Sequence, residues 1–74
     1  MIMYNKTIPE RLVEARKYKR CSVSKLADLS GVSRNTLVNI EHGHFGGTID
    51  TLELVAAALG LRIDIIDKTT GKKF

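Results

Sequence analysis

Apolar and polar residues follow two different periods along the chain. Through residues 8–60 the apolar residues recur every three to four positions, which is the spacing of a helix with one buried face. Beyond them they recur at every second position and are β-branched, which is typical of a strand. The pattern predicts a helical core at residues 8–60, followed at residues 61–74 by a strand and a basic tail. Both are expected to belong to one domain, residues 1–74, because a chain this short cannot bury two cores.

Polar residues ahead of the apolar stretches predict where four helices begin. Ser and Thr accept hydrogen bonds from the free N–H groups of a helix's first turn. Thr7 and Glu10 have the spacing of a capping box, and Pro9 fits the first turn because its missing N–H is not needed there. The first helix is expected to run from about Ile8 to Lys19. The other predicted caps are Ser22 or Ser24, then Ser33, and finally Thr48.

Helical spacing also predicts the core and the ends of the helices. Gly31, Gly43 and Gly60 are expected at helix ends, where glycine tolerates a positive φ. Val32 follows the first of these glycines and is expected to place an apolar side chain in the core. The other residues expected to face inward are Ile8, Leu12, Ala15, Leu26, Ala27, Leu29, Leu37, Ile40, Leu52, Val55, Ala56 and Leu59.

The most informative stretch of the chain is residues 22–43, SVSKLADLSGVSRNTLVNIEHG. It predicts a helix, a tight turn at Gly31 and a second helix. The second helix opens with Arg34, Asn35 and Thr36, and its exposed positions are rich in hydrogen-bonding side chains. A helix of this kind can lie in a DNA major groove and contact the edges of the bases.

The positive charge of the chain is concentrated around this stretch. The formal net charge is +4, and all of it falls within residues 1–47, since residues 48–74 hold four cations and four acids. Between Arg16 and Arg34 there are six basic residues and one acid, Asp28. Such a patch suits contacts with phosphate groups. The alternative, an ordinary solvated face, stays open on charge alone.

Several other kinds of function find no support in the sequence. Cys21 is the single cysteine, so no internal disulfide forms and a reducing compartment is expected. His42 and His44 lack a second cluster of ligands, so neither a metal site nor a cofactor is predicted. The glycine-rich residues 43–47 lack the strand and the lysine of a phosphate-binding loop. No serine has a histidine and an acid arranged for nucleophilic attack, and we expect no enzyme.

We also expect no membrane association. The chain has no apolar run near the roughly 18 residues of a spanning helix. Its start lacks the basic and long apolar regions of a signal peptide. The sequence therefore predicts a cytoplasmic protein.

The predicted strand needs a partner for its backbone hydrogen bonds. It comprises Arg62, Ile63, Asp64, Ile65, Ile66 and Asp67, with Ile63 and Ile65 on one face. Two sources remain open, the same strand of a second copy or residues 1–4 of the same chain. Pairing between two copies would give a two-fold dimer, which we favour. A turn at Thr70 and Gly71 is expected to follow the strand.

The segment Leu26 to Gly43, LADLSGVSRNTLVNIEHG, resembles the repressor and Cro-type helix-turn-helix family, also called the xenobiotic-response-element regulators. The resemblance implies an all-α domain of four to five helices, to which the pattern of residues 62–67 adds a short C-terminal β-strand that we expect to pair across a dimer. It also implies a transcriptional regulator that binds double-stranded DNA, with a repressor on a palindromic operator as the expected form.

The resemblance assigns roles by position, and side-chain chemistry agrees with them. Arginine can bridge guanine O6 and N7, asparagine can pair with adenine, and valine can contact a thymine methyl group. The implied base contacts are Arg34, Asn35, Thr36, Val38 and Asn39. The implied phosphate contacts are Ser22, Ser24, Lys25, Ser33 and His44. Arg16 and Glu41 match a structural ion pair of the family.

Plainer interpretations of these residues stay open. Arg34 could contact a phosphate instead of a base, and the two asparagines could be ordinary exposed residues. Ser22 and Ser33 could act as helix caps alone.

This chain departs from the family pattern at three places. Val23 stands where many members have a glutamine that grips the DNA backbone, and Gly47 replaces a usual proline. The chain ends in a predicted strand where the family usually has a fifth helix. A strand there resembles regulators of the antitoxin type, which bind a protein toxin. Neutralising a toxin is therefore the alternative function, and a helix-turn-helix used only as a scaffold is a third.

Overall fold

The computed structural model describes residues 6–44 and 48–74, and these residues form four helices. The helices are α1 (Ile8–Tyr18), α2 (Val23–Ser30), α3 (Arg34–Glu41) and α4 (Ile49–Ala58). The all-α, repressor-like fold predicted from the sequence is confirmed. Residues 1–4, considered as a strand partner, and Gly47 lie outside the described residues.

Each helix begins at a Ser or Thr whose side-chain oxygen accepts a backbone N–H from the first turn. Ser22, and not Ser24, caps α2. At the start of α1 the capping box is complete, since the Thr7 N–H also donates to Glu10 Oε1 at 3.1 Å. The capping distances are 3.3 Å from Glu10 N to Thr7, 3.0 Å from Lys25 N to Ser22, 3.1 Å from Thr36 N to Ser33 and 3.2 Å from Thr51 N to Thr48.

Three of the described helices end in a Schellman motif, in which a residue of positive φ turns the chain back on the last carbonyls. Gly43 and Gly60 occupy this position after α3 and α4, with φ of 75° each. After α1 the position falls on Arg20, whose φ is 55°, and the Cys21 N–H donates to the Arg16 carbonyl at 3.1 Å. This turn could not be predicted from the sequence, because an arginine rarely adopts that conformation.

The four helices surround one small apolar core. α1 contributes Leu12 to it, and α2 contributes Leu26, which is 2% exposed. The other buried side chains are Leu37 and Ile40 from α3, Leu52, Val55 and Ala56 from α4, and Leu59 just after it. Val32, in the turn between α2 and α3, packs against this cluster as expected.

Two residues predicted to face inward lie at the surface. Leu29 is 54% exposed, because α2 turns the stripe of Val23, Leu26 and Ala27 toward the core and Leu29 lies to one side of it. Ile8 is 37% exposed, since it is the first residue of α1.

The C-terminal segment differs from the strand predicted for residues 62–67. Its only β-pairing within the described residues is an antiparallel bridge between Ile66 and Lys73. The Asp67 N–H donates to the Lys72 carbonyl at 2.8 Å, and the Phe74 N–H donates to the Ile65 carbonyl at 2.9 Å. The expectation that residues 1–4 were the only partner within the chain is therefore wrong. The last residues pair with the segment that precedes them.

A tight turn makes this pairing possible. The Asp67 carboxylate accepts the N–H groups of Thr69 at 2.8 Å and Thr70 at 3.2 Å. Gly71 follows with a φ of 77° and donates its N–H to the Asp67 carbonyl at 2.7 Å. The turn predicted at Thr70 and Gly71 is present. It reverses the chain within four residues, which brings Lys73 opposite Ile66.

Alternation within the segment is also less regular than predicted. Ile63 packs against the core, whereas Ile65, expected on the same face, is 75% exposed. Ile66 is 52% exposed. The segment is therefore anchored to the helices near its start and projects two isoleucines into solvent.

The capping box predicts a pH dependence of stability. Hydrogen bonds from the Thr7 N–H, and then from its hydroxyl, lower the pKa of the Glu10 carboxyl below its ordinary value. The stabilisation from Glu10 is therefore complete above the pKa of the unfolded chain and is lost as the pH falls through the lowered pKa. We expect wild type to unfold at higher denaturant concentration than Glu10→Gln at pH 7, with the difference shrinking in acid. A difference that persists unchanged at pH 2 would contradict this origin.

Candidate nucleic-acid interface

The face of α3 that points away from the core carries four of the five predicted base contacts. Leu37 and Ile40 fix the orientation of the helix by inserting into the core, at 2% and 5% exposure. Because residues advance 100° per position, the side chains of Asn35, Val38 and Asn39 lie on the opposite face, and Arg34, in the first turn, lies at its edge. Arg34 and Asn35 are exposed, and Val38 and Asn39 are partly buried.

Thr36, the fifth predicted base contact, lies on the flank of the helix. Its hydroxyl oxygen accepts a hydrogen bond from Ser33 Oγ at 2.8 Å, and its N–H donates to the same Ser33 oxygen at 3.1 Å. These bonds direct the Thr36 side chain toward the helix cap. The structure therefore does not group it with the other four.

The two helices of the motif meet at their N-terminal ends through a side-chain contact. The Arg34 Nε–H donates to Ser24 Oγ at 3.3 Å. Arg34 was predicted to contact a base, and Ser24 was predicted to contact a phosphate. Sequence spacing could not reveal this pairing, because it depends on the angle between α2 and α3.

The remaining candidates for phosphate contact lie in three places. Ser22 and Lys25 are exposed at the start of α2, where the Ser22 oxygen accepts the Lys25 N–H. Ser33 is exposed at the N-cap of α3. His44 is exposed beyond the other end of α3, and its N–H donates to the Asn39 carbonyl at 3.0 Å. The phosphate contacts of these four residues stay predictions. Ser22, Lys25 and Ser33 lie at the N-terminal ends of α2 and α3, whose partial positive charge suits anions.

Arg16 and Glu41 form a bidentate ion pair that holds the end of α3 against α1. Arg16 Nε lies 2.6 Å from Glu41 Oε2, and Nη2 lies 3.0 Å from Oε1. The third nitrogen of the guanidinium, Nη1, donates to the Cys21 carbonyl at 2.7 Å. The side chains are only 13% and 16% exposed, so solvent screens the pair weakly. The Cys21 contact was not predicted, because a backbone acceptor leaves no signal in the sequence.

The described residues hold neither a candidate metal site nor a membrane-spanning helix. Within residues 6–44 and 48–74, no three His, Cys, Asp or Glu side chains come together in a way that could hold a metal ion. None of the described helices combines the length and the apolar character needed to cross a membrane. Cys21 is partly buried and its thiol lies 3.6 Å from the Ser22 carbonyl oxygen.

Two short helices joined at Gly31, with polar side chains on the outer face of the second, define a helix-turn-helix domain. A family model described as helix-turn-helix matches residues 12–66 of the chain. The chain belongs to this family, in its repressor and Cro type. The family consists of transcription regulators rather than enzymes, in agreement with the expectation from the sequence.

Two similar proteins carry the same fold or sequence pattern. The chain is 33% identical over 60 residues to the immunity repressor protein of Bacillus phage phi105, an alignment that covers 81% of this chain. The matched part is 42% of the repressor's length, so the chain spans less than half of that relative. The crystal structure of SinR, a master regulator for biofilm formation, in complex with DNA superposes with a TM-score of 0.68. The sequence identity is 36%, over 74% of this chain and 89% of SinR's.

The ion pair between α1 and α3 predicts a loss of stability on removal of its acid. Glu41→Gln leaves the Arg16 guanidinium partly buried without a counter-charge. We expect a loss of about 1.5–3 kcal/mol in the free energy of unfolding, measured by urea denaturation. The control is Glu53→Gln, at an exposed position of α4, for which we expect a change within about 0.5 kcal/mol. Equal losses for the two variants would show that the pair does not support the fold.

Proposed function

We propose that this chain is a sequence-specific DNA-binding transcriptional regulator that acts as a repressor. The observation that carries the proposal is the outward face of α3, where Arg34, Asn35, Val38 and Asn39 come together. These side chains offer the donors, acceptor and methyl groups that read base edges in a major groove. Membership of the helix-turn-helix family and likeness to a regulator solved with DNA support the assignment.

Phosphate contacts supply affinity in this proposal. The N-terminal ends of α2 and α3 would meet the DNA backbone through Ser22, Lys25 and Ser33, with His44 at the far end of α3. The positive excess within residues 1–47 would attract DNA from a distance. A DNA-binding regulator of this type acts where the chromosome lies, which agrees with the predicted cytoplasmic location.

We further propose that the chain binds a palindromic operator as a homodimer joined through residues 62–67. The bridge to Lys73 uses the Ile65 carbonyl and the Asp67 N–H. Because backbone groups of alternate residues point to opposite edges, those of Asp64 and Ile66 point away from the bridge. No backbone hydrogen bond within residues 6–44 and 48–74 engages Asp64 or Ile66. This free edge can pair with its own copy, which would place two recognition helices about 34 Å apart.

An antitoxin is the alternative function. Ile65, Ile66 and Phe74 expose 75%, 52% and 77% of their surface, and exposed apolar side chains along one segment suit a protein partner. A toxin could cover them in place of a second copy, or in addition to it. A toxin gene beside the gene for this chain would favour this alternative.

Base readout predicts a loss of sequence preference in two variants. Selection from random DNA with the wild-type chain should enrich one palindromic sequence. We expect Arg34→Ala and Asn39→Ala to lose about 1–3 kcal/mol of discrimination at the base pairs they contact while retaining weak general binding. Glu53→Ala, at an exposed position of α4 outside the motif, is the control and should enrich the wild-type sequence. If the wild-type chain enriches no sequence, the chain is not a sequence-specific regulator.

Strand pairing predicts a dimer that a charge can dissociate. Light scattering at micromolar concentration should give the mass of two chains for the wild type. We expect Ile65→Asp to give the mass of one chain, because pairing would bury an unpaired carboxylate. Ile49→Asp is the control and should leave the mass unchanged, because Ile49 is also an exposed isoleucine, at 52%, but lies in the first turn of α4, outside the proposed interface. A wild-type mass of one chain, or a dimer that tolerates Ile65→Asp, would contradict the proposed interface.

A further inference from the structure

The contact between Ser24 and Arg34 links the two helices of the motif at the surface proposed to face DNA. Ser24 is the second residue of α2 and Arg34 is the first residue of α3. Both are exposed, and the Arg34 Nε–H donates to Ser24 Oγ at 3.3 Å. The hydrogen bond ties one of the three nitrogens of the Arg34 guanidinium to the protein.

We propose that Ser24 is a positioning residue, which sets the orientation of the Arg34 guanidinium for base readout. Its main role is then to hold Arg34, rather than to contact a phosphate itself. The inference rests on the proposed function of α3 as a recognition helix. It adds that specificity at the base pair read by Arg34 depends on a side chain of α2.

Guanidinium chemistry explains how one hydrogen bond can select an orientation. The group is planar and carries five N–H donors in a fixed arrangement. Arginine can address guanine O6 and N7 with its two terminal nitrogens, or with Nε and one terminal nitrogen. Because Ser24 accepts the Nε–H of Arg34, only the terminal pair, Nη1 and Nη2, stays available as a fork. The contact therefore favours end-on readout.

The surroundings of Ser24 make its hydroxyl suited to this role. Val23, just before it, packs against the core and has no polar group to offer. Lys25, just after it, carries a cation, which cannot accept a hydrogen bond from Arg34. The hydroxyl of Ser24 is neutral, and its own proton stays available to a further acceptor. A serine at this position can hold the arginine without neutralising its charge.

Holding Arg34 before DNA arrives should improve discrimination more than general affinity. A long side chain loses rotamer freedom when it is immobilised in an interface, and a preset orientation reduces that loss. The gain is realised only where the guanidinium makes its directed bonds to guanine. Non-specific binding depends mainly on charge, which Ser24 does not change.

The test compares Ser24→Ala, which removes the acceptor, with Ser24→Thr, which retains a hydroxyl. The probes are the duplex enriched by the wild-type chain, the same duplex altered at the base pair that Arg34→Ala no longer selects, and a mixed-sequence duplex. We expect Ser24→Ala to lower the preference for the enriched base pair by about two- to tenfold, the effect of one immobilised side chain. Affinity for the mixed-sequence duplex and its salt dependence should stay unchanged. Ser24→Thr should restore the preference.

A double variant separates positioning from a direct contact. In the Arg34→Ala background, Ser24→Ala should have no further effect on base preference, because the group that it positions is absent. An equal loss of affinity for all three duplexes with Ser24→Ala alone would instead identify a phosphate contact and overturn the proposal. An additive effect in the double variant would overturn it as well.

A measurement without DNA makes the outcome independent of the proposed function. The Nε–H resonance of Arg34, followed by NMR in the free chain, should exchange with water faster in Ser24→Ala and return toward the wild-type rate in Ser24→Thr. If the wild-type chain enriches no DNA sequence, the proposed function fails, and the role of Ser24 in base readout fails with it. A faster exchange of the Arg34 resonance in Ser24→Ala would still show that the hydrogen bond between Ser24 and Arg34 exists. An Arg34 resonance that does not respond to Ser24→Ala shows that the inference alone has failed.

Discussion

The guanidinium of Arg16 joins three parts of the domain: α1, the end of α3 and the turn before α2. Two of its nitrogens bind the Glu41 carboxylate at the end of α3, and the third binds the Cys21 carbonyl in the turn before α2. The arrangement is planar and directional, so it fixes an angle as well as a distance. The orientation of α3, and with it the face offered to DNA, depends on this contact together with the insertion of Leu37 and Ile40 into the core.

A domain of this size has little apolar surface to bury, and its helices are short. α2 and α3 have eight residues each, fewer than an isolated helix needs for stability in water. The capping residues therefore contribute much of the stability of these helices. They are Ser22 and Ser33 at the start, and Gly31 and Gly43 at the end. The same caps leave helix N-termini exposed on one side of the molecule, so the features that stabilise the motif also suit it to bind an anionic backbone.

The C-terminal segment is the part of the domain best suited to contact another chain. The bridge between Ile66 and Lys73 pairs the backbone groups on one edge of the segment. The backbone N–H and C=O groups of Asp64 and Ile66 point to the other edge. Residues that project apolar side chains beside an unpaired backbone edge are suited to a partner that extends the pairing. A second copy would by symmetry both pair with the backbone edge and cover the apolar side chains. A different protein would need a matching strand edge of its own.

The sequence by itself determined the helices and their caps, because capping and helical periodicity are local: Thr7, Ser33 and Thr48 act on residues three positions away. It also determined the family, since the motif between Leu26 and Gly43 has a fixed spacing. Only the tertiary structure decided what depends on the angles between elements. It placed Leu29 in solvent, brought Ser24 to Arg34 and folded the last residues back onto Ile66. These outcomes are set by contacts between distant residues, which no local pattern encodes.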